Sequence, residues 1–190
     1  MTDTRDEATD EALAVSAAHG DKAAFDMLIR RHKDSLYRFA RRYVGQPEDA
    51  YDVLQDSFVS MWLAIGRYDP ERPFGPWMRR IVVNKCRDFG RRQAVRRMLL
   101  RLFSLETPDS DSEYEPEGNE GDLAAERLGK LEEAVAELPS RYKEPLLLTA
   151  MDGMSHLEAA SVLNISAKAV EMRVYRARQQ LRKALGEPET

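Results

Sequence analysis

Apolar residues in the first half of the chain recur three and four positions apart, which predicts amphipathic α-helices. Within residues 21–44 the apolar residues with this spacing are Phe25, Leu28, Ile29, Leu36, Phe39, Ala40 and Tyr43. Gly45 and Pro47 interrupt the pattern, and a second set with the same spacing extends from residue 50 to residue 65. Pro47 suits the first turn of that second helix. A third apolar stripe begins at Trp77, so the first half contains three helices that can form one small domain.

A stiff loop is predicted between the second and third helices. Residues 68–76 (YDPERPFGP) contain three prolines and one glycine. Proline lacks the backbone donor that helices and central strands require. The composition therefore predicts a shaped loop over this whole segment.

The second half begins with a polar segment and ends in helical patterns. Residues from 104 to about 121 are rich in Pro, Ser, Asp, Glu and Gly, which is typical of a flexible linker. Residues 123–138 have helical spacing, Pro139 interrupts it, and residues 146–151 are apolar. Alternating strand patterns are absent from the sequence. The prediction is an all-α protein with two small helical domains joined by an acidic flexible linker.

The last segment carries the start signals of two consecutive helices. Ser155 and Glu158 are spaced as a capping box, and an apolar run follows them. Asn164 tolerates the left-handed conformation of a tight turn, and Ser166 can cap the next helix. Ala159 or Ala160 supplies the small residue needed where two helices cross. The sequence therefore predicts a helix-turn-helix in the second domain.

The outward face of the second of these helices is basic. It includes Lys168, Arg173, Arg176, Arg178 and Arg182. A DNA-recognition helix needs such donors on the side that faces the groove. A generic helical hairpin would show the same apolar spacing, but it would not require the basic face.

Charge is strongly segregated, although the formal net charge is only -4 and the pI is near 5.5. Residues 79–101 contain nine basic residues and one acid, and residues 168–183 contain six basic residues and one acid. Residues 106–126 contain nine acids and no base. Two basic modules therefore flank an acidic connector, a pattern that an average over the chain conceals.

The first basic run has three interpretations, namely a solvated helix, a membrane-surface patch and a phosphate-binding surface. A membrane-surface helix would pair its arginines with a broad apolar face. Arg91-Arg92 and Arg96-Arg97 are adjacent pairs without such a face. The pattern favours contacts to nucleic-acid phosphates. Such contacts make the affinity depend on salt concentration, but they do not select a nucleic-acid sequence.

Two further sets of residues are open to a structural or a functional interpretation. Tyr68, Phe74 and Trp77 precede the basic helix, where they could stack on unpaired bases or simply form core. Asp49, Asp52 and Asp56 share one helix face, which could be a solvated surface or a docking surface for a basic partner. Periodicity does not choose between these alternatives.

Composition argues against several functional classes. Cys86 is the single cysteine, so no intrachain disulfide is possible, and the three histidines form no plausible metal-ligand spacing. No catalytic triad, Gly-rich phosphate loop or paired-carboxylate arrangement is present. We therefore predict no catalytic residue, no metal and no cofactor. The longest apolar run, near residues 146–151, is too short for membrane insertion, and a cytoplasmic location is expected.

Several motifs, in this order, resemble the extracytoplasmic-function (group 4) sigma factors of bacterial RNA polymerase from about residue 25 to residue 185. AYDVLQDSFVSMW (50–62) is similar to the family's polymerase-docking helix, and FGPWMRRIVVNKCRDFGRR (74–92) to its promoter-melting helix. LPSRYKEPLLL (138–148) resembles the start of its second DNA-binding domain, and MSHLEAASVLNISAKAVEMRVYRARQQL (154–181) resembles its helix-turn-helix.

The resemblance implies roles for individual residues. The residues expected to dock on the coiled-coil clamp of the largest polymerase subunit are Asp49, Asp52, Gln55 and Asp56. The expected minus-ten residues are Tyr68, Phe74, Trp77, Arg79, Arg80, Asn84, Lys85 and Arg87, with the loop at 68–76 and Asn84 capturing a flipped base. The expected minus-thirty-five residues are Lys168, Glu171, Arg173, Tyr175, Arg176 and Arg178. Many relatives carry a basic residue at the position of Glu171, whose carboxylate can instead accept a hydrogen bond from cytosine.

The resemblance also implies the organisation and the partners of the chain. It divides the chain into an N-terminal extension (1–20), a sigma region 2-like domain (21–103), an acidic linker (104–122) and a sigma region 4-like domain (123–190). The expected function is promoter-specific transcription initiation, with core RNA polymerase, promoter DNA and an anti-sigma factor as partners. One rival interpretation is a sigma mimic that sequesters an anti-sigma factor. Another is a conventional helix-turn-helix repressor, which would leave the first domain unexplained.

Overall fold

A computed structural model describes residues 8–102 and 120–186, and every regular element in these two stretches is helical. The helices are α1 (Asp10–Ala18), α2 (Lys22–Val44), α3 (Pro47–Ala64), α4 (Phe74–Leu102), α5 (Glu120–Glu137), α6 (Ser140–Leu146), α7 (His156–Leu163) and α8 (Ala167–Ala184). A 3₁₀ turn (Ile65–Arg67) follows α3, and a π-helical turn (Leu147–Met151) extends α6. The all-α prediction is confirmed, whereas most of the predicted linker, residues 104–119, lies outside the described residues.

Helices α1 to α4 form the first domain. Helix α1 falls within residues 1–20, which the sequence patterns had left without an element. It packs on α2 and buries Leu13, Ala14 and Ala17. Asp10 of α1 also contacts Arg31 at 2.9 Å and His32 at 2.6 Å. Nine residues are too few for a clear periodic signal, so only tertiary packing reveals this helix.

The loop predicted for residues 68–76 is shorter than expected. Helix α4 begins at Phe74, so the prediction is wrong for residues 74–76. Pro76 fits there because amides in the first turn of a helix have no partner within the helix. The remaining loop is held internally, since the Tyr68 hydroxyl donates to the Arg72 carbonyl at 2.5 Å.

Helices α5 to α8 form the second domain, in which α8 packs against α6 and α7. The capping box of Ser155 and Glu158 is present at the start of α7. Asn164 ends α7 in the left-handed conformation with φ of 55°, and the Ser166 side chain accepts a hydrogen bond from Ala169 N. The predicted helix-turn-helix is confirmed in each of these local details.

The capping box is expected to contribute measurably to stability. Ser155→Ala is expected to lower the free energy of unfolding by about 1 kcal/mol, because Ser155 Oγ accepts from Glu158 N at 3.2 Å. Urea unfolding followed by circular dichroism measures this loss. Ser161→Ala, which removes a hydroxyl from the same helix without touching a cap, is the control. Equal losses in the two variants would contradict the assignment.

The two domains pack against each other, a point on which the sequence was silent. Helix α4 contacts α7, and α2 contacts both α5 and the π-helical turn. The buried apolar residues of the two domains form one continuous cluster. Arginines of α4 that were predicted to face DNA therefore lie within reach of the second domain.

Candidate polymerase and nucleic-acid interfaces

The acidic face of α3 is open to solvent. Asp52, Gln55 and Asp56 are exposed and Asp49 is half-buried, while Val53, Leu54 and Met61 lie on the opposite, buried face. A shallow groove of 350 Å³ lies between this face and the basic part of α4, and across it Asp56 Oδ2 is 3.8 Å from Arg92 Nη2. This ion pair is exposed, so it is weak and can exchange partners. These exposed carboxylates could meet a basic partner without any rearrangement of the domain.

The three aromatic side chains near the start of α4 contact one another. The ring centroids of Tyr68, Phe74 and Trp77 are 5.4–5.5 Å apart in all three pairs. Phe74 is only 1% exposed, Tyr68 is buried and Trp77 is half-buried. Burial also raises the pKa of the Tyr68 hydroxyl. The structure thus gives Phe74 a place in the core, and base capture by these rings stays a prediction.

Two of the predicted minus-ten arginines contact the helix-turn-helix domain. Arg79 Nε donates to Asp152 Oδ2 at 2.6 Å, and both side chains are largely buried. Arg80 donates to the backbone carbonyl of Ser161 in α7. Burial raises the pKa of Asp152, and the charge and hydrogen bond of Arg79 only partly offset that effect.

A third minus-ten arginine makes a bidentate contact with the second domain. Arg87 Nε and Nη2 donate to the two carboxylate oxygens of Glu144 at 2.7 and 2.5 Å. The hydrogen bonds from Arg87 to Glu144 raise the pKa of Arg87. Arg87 Nη1 also donates to Asn84 Oδ1 at 3.3 Å. Asn84 is exposed, whereas Lys85 is half-buried.

Sequence reasoning missed the buried charges on the other side of this contact. Glu144 is 3% exposed and also accepts a hydrogen bond from the Tyr43 hydroxyl at 3.1 Å. Lys143 is 6% exposed and donates to the backbone carbonyls of Tyr43, at 3.0 Å, and Ala136. Burial lowers the pKa of Lys143 to about 8. The sequence does contain a signal for these buried charges, because Lys143 and Glu144 lie within the otherwise apolar end of LPSRYKEPLLL.

The recognition helix α8 presents most of its predicted DNA-reading residues to solvent. Its buried face consists of Val170, Val174 and Ala177. The exposed members of the predicted set are Lys168, Glu171, Tyr175, Arg176 and Arg178. Arg173 differs, because it is half-buried and lines a cleft of 1160 Å³ between the two domains.

Contacts within the second domain orient several side chains on the exposed face of α8. Lys168 Nζ contacts both carboxylate oxygens of Glu171 at 2.9 Å. Gln179 donates to the Tyr175 hydroxyl at 3.1 Å. A hydrogen bond with Arg176 is the main reason that the pKa of Tyr142 is lowered. Exposed ion pairs of this kind are weak, so these side chains can exchange partners.

Among the helices of residues 8–102 and 120–186, none combines the length and the apolar character that a membrane-spanning segment needs. The same residues contain no group of three or more His, Cys, Asp and Glu side chains that could hold a metal ion. Cys86 is fully buried, and burial raises the pKa of its thiol. A protonated, inaccessible thiol has little reactivity.

Comparisons with known proteins agree with this arrangement of two domains. The Sigma-70 region 2 family matches residues 28–96, and the Sigma-70 region 4 family matches residues 128–181. RNA polymerase sigma factor NccH of Alcaligenes xylosoxydans xylosoxydans is 41% identical over 178 residues, which cover 93% of this chain and 94% of NccH. RNA polymerase sigma factor CnrH of Cupriavidus metallidurans is 42% identical over 180 residues, which cover 92% of this chain and 93% of CnrH.

A solved structure supports the same conclusion. CnrH in complex with the cytosolic domain of CnrY superposes with a TM-score of 0.70 and 35% sequence identity, covering 93% of this chain and 97% of the CnrH chain. The similarity therefore includes both domains and the helix-turn-helix. The chain belongs to the extracytoplasmic-function sigma factors, the RNA polymerase subunits that direct promoter-specific initiation of transcription.

Proposed function

We propose that this sigma factor joins core polymerase through the acidic face of α3 and reads two promoter elements with α4 and α8. The observation that carries the proposal is the combination of an exposed acidic face on α3 with an exposed basic face on α8. These faces belong to different domains, as expected if one partner is the polymerase and the other is DNA. The division into domains at residues 21–103 and 123–190 is part of this proposal.

Each of the four polar residues on the docking face of α3 has its own role in this proposal. Asp52 and Asp56 point to solvent and can pair with basic side chains of the polymerase clamp. Gln55 lies between them and can donate and accept hydrogen bonds. Asp49 is half-buried, so it contributes at the edge of the docking surface.

Promoter melting is assigned to α4 and to the loop before it. Arg79, Arg80, Lys85 and Arg87 hold phosphates near the minus-ten element, while Asn84 contacts an unpaired base. Opening the duplex in this way requires captured bases and phosphate contacts rather than nucleotide hydrolysis. The chain accordingly has no catalytic centre of its own in this proposal.

Recognition of the minus-thirty-five element is assigned to α8. Glu171, Arg173, Tyr175 and Arg176 lie in or beside the major groove, and Lys168 and Arg178 contact the backbone. Glu171 accepts from a cytosine amino group in this arrangement, which gives the chain a promoter preference different from that of relatives with a basic residue there.

Arg176→Ala is expected to weaken promoter-dependent initiation about tenfold while leaving the affinity for core polymerase unchanged. A side chain that contacts a base edge contributes about 1–3 kcal/mol to discrimination against a wrong base. Initiation rates on matched and mismatched minus-thirty-five sequences measure the effect. Lys183→Ala, which removes one positive charge from the last turn of α8, is the control. A similar loss in both variants would indicate that Arg176 contributes charge rather than sequence recognition.

Reconstituted transcription tests the proposal as a whole. Core polymerase is incubated with a library of promoter fragments, with and without the protein, and the initiated transcripts are sequenced. Initiation that depends on the protein and shares two sequence elements is the expected result. A protein that binds core polymerase but starts no transcript would instead be a sigma mimic, and dimeric binding to palindromic DNA would identify a repressor.

Regulation in this proposal depends on a separate anti-sigma protein that acts in the cytoplasm. The relative CnrH forms a complex with the cytosolic domain of CnrY. In the present chain, an open groove of 740 Å³ beside α8 is lined by Met154, Met172, Tyr175 and other side chains. Met172 and Tyr175 are both more than 40% exposed, so this groove offers a partner apolar surface next to the recognition helix.

A further inference from the structure

The residues at the start of α4 provide no cap for the helix. Helix α4 begins at Phe74, and Pro73 before it has no side-chain acceptor for the amides of the first turn. Amides in the first turn have no partner within the helix, and Pro76 has no amide hydrogen at all. An acceptor for the remaining amides must therefore come from another part of the protein or from water.

Helix α1 supplies such an acceptor. Glu11 is half-buried, and its Oε1 accepts a hydrogen bond from Phe74 N at 3.1 Å, across 63 positions of the chain. A carboxylate at this place also meets the positive end of the α4 helix dipole. Glu11 thus caps α4 as an ordinary N-cap side chain would, but it does so from a separate helix.

A second contact from α1 reaches the same point. Asp10 Oδ2 lies 2.6 Å from Nε2 of His32 in α2. The centroid of the His32 ring lies in turn 6.1 Å from that of the Phe74 ring. Helix α1 also packs against the 3₁₀ turn that follows α3. The loop at residues 68–73 is therefore anchored on α1 at both of its ends.

The loop between these anchors is held by its own hydrogen bonds rather than by apolar packing. The Asp69 carboxylate accepts from Glu71 N and from Arg72 Nε, each at 3.1 Å. Residues 69–73 are all exposed. An exposed loop takes its position from the rigid elements at its ends. The place at which α4 begins therefore decides where the loop presents its residues.

The charge of Glu11 is the wrong sign for a phosphate contact. Besides burial, which has the largest effect, the negative charge of Glu11 raises the pKa of the Tyr68 hydroxyl in the loop. A carboxylate this close to a DNA-binding loop repels a polyanion. The hydrogen bond to Phe74 N gives the carboxylate a different use, which is to hold the protein rather than the DNA.

We propose that Glu11 is a positioning residue for minus-ten recognition, which caps α4 and thereby fixes the loop at residues 68–73 in the geometry that captures an unpaired base. Glu11 acts through Phe74 N and touches no DNA. The inference rests on the proposed function, because it requires that this loop and Asn84 meet the minus-ten element. It gives α1, which precedes the residues that match the Sigma-70 region 2 family, a role in promoter opening.

Two substitutions of Glu11 separate the hydrogen bond from the charge. Glu11→Ala removes the acceptor, whereas Glu11→Gln keeps an amide oxygen at the same reach and removes only the charge. Core polymerase bound to the Glu11→Ala protein is expected to bind a single-stranded minus-ten oligonucleotide about fivefold more weakly, the factor that corresponds to one lost helix cap. The Glu11→Gln holoenzyme should bind it as the unaltered holoenzyme does. Fluorescence anisotropy of the labelled oligonucleotide measures these affinities.

Abasic nucleotides distinguish positioning from a general loss of stability. Each base of the oligonucleotide is removed in turn, and the captured base is the one whose removal costs the unaltered holoenzyme most affinity. On the oligonucleotide that lacks this base, the Glu11→Ala holoenzyme should bind as tightly as the unaltered one, because the contact that Glu11 positions is already missing. An equal loss on this oligonucleotide and on the intact one would overturn the proposal.

Ser155→Ala is the matched control, because it also removes one helix cap, but from α7. The oligonucleotide contains no minus-thirty-five element, so this variant should bind it as tightly as the unaltered protein does. Asp26→Ala, which removes an exposed carboxylate from α2, controls for charge. Equal losses in Ser155→Ala and Glu11→Ala would refute the positioning role. Tighter binding by both Glu11 variants would show instead that Glu11 merely repels DNA.

Failure of the proposed function would give a different result. If the unaltered holoenzyme loses no affinity at any abasic position, the minus-ten assignment of the loop and Asn84 is wrong, and the role of Glu11 is wrong with it. If the unaltered holoenzyme does depend on one base while the Glu11→Ala holoenzyme behaves identically on every oligonucleotide, only the positioning role is wrong.

Discussion

Phe74→Ala is expected to lower the free energy of unfolding of the protein by about 3–5 kcal/mol, the usual loss for a large buried ring. Phe74 is 1% exposed and packs against both Tyr68 and Trp77 at centroid distances of 5.5 and 5.4 Å. Its backbone amide also donates a hydrogen bond to Glu11 Oε1 of α1 at 3.1 Å. Urea unfolding followed by circular dichroism measures the loss.

Phe74→Leu separates packing from base capture. Leucine keeps most of the apolar volume, so this variant should lose less than half as much stability as Phe74→Ala. If the ring serves only the core, the variant should also retain promoter melting. Tryptophan fluorescence from Trp77 reports whether the local packing survives. A stable Phe74→Leu protein that no longer melts promoters would show that the ring acts on DNA, contrary to its place in the core.

Asp52→Arg combined with Asp56→Arg is expected to weaken binding to core polymerase about 100-fold or more, equivalent to ~2.7 kcal/mol. Both carboxylates are exposed on one face of α3, so reversing them presents two cations to a surface expected to be basic. Like charges that meet in an interface cost several kcal/mol. Competition against labelled protein for core polymerase measures the affinity.

Charge reversal elsewhere on the first domain provides the control for docking. Asp26→Arg with Asp34→Arg makes the same change in net charge at exposed positions of α2. This control should retain core binding within about twofold at physiological ionic strength, where distant exposed charges are screened. Comparable losses in both variants would remove the docking role from α3.

The sequence by itself determined most of the helices and several of their ends, because these depend on near neighbours along the chain. Apolar spacing predicted α2 and α3, and the Ser155–Glu158 capping box and Asn164 marked the ends of α7. The helix-turn-helix and its basic face could also be predicted, since one helix face repeats every three to four residues. Family resemblance then supplied roles for Asp52 and Arg176 that spacing alone left open.

Only the tertiary structure decided which charged residues meet across the domains. Arg87 and Glu144 are 57 positions apart, and Arg79 and Asp152 are 73 apart, so no local pattern links them. Likewise, α1 is a helix held by its contacts with α2 rather than by a strong pattern of its own. Sequence periodicity shows which face of a helix is polar, but it cannot show what that face contacts. Here the polar face of α4 meets the buried carboxylates of Glu144 and Asp152 in the second domain.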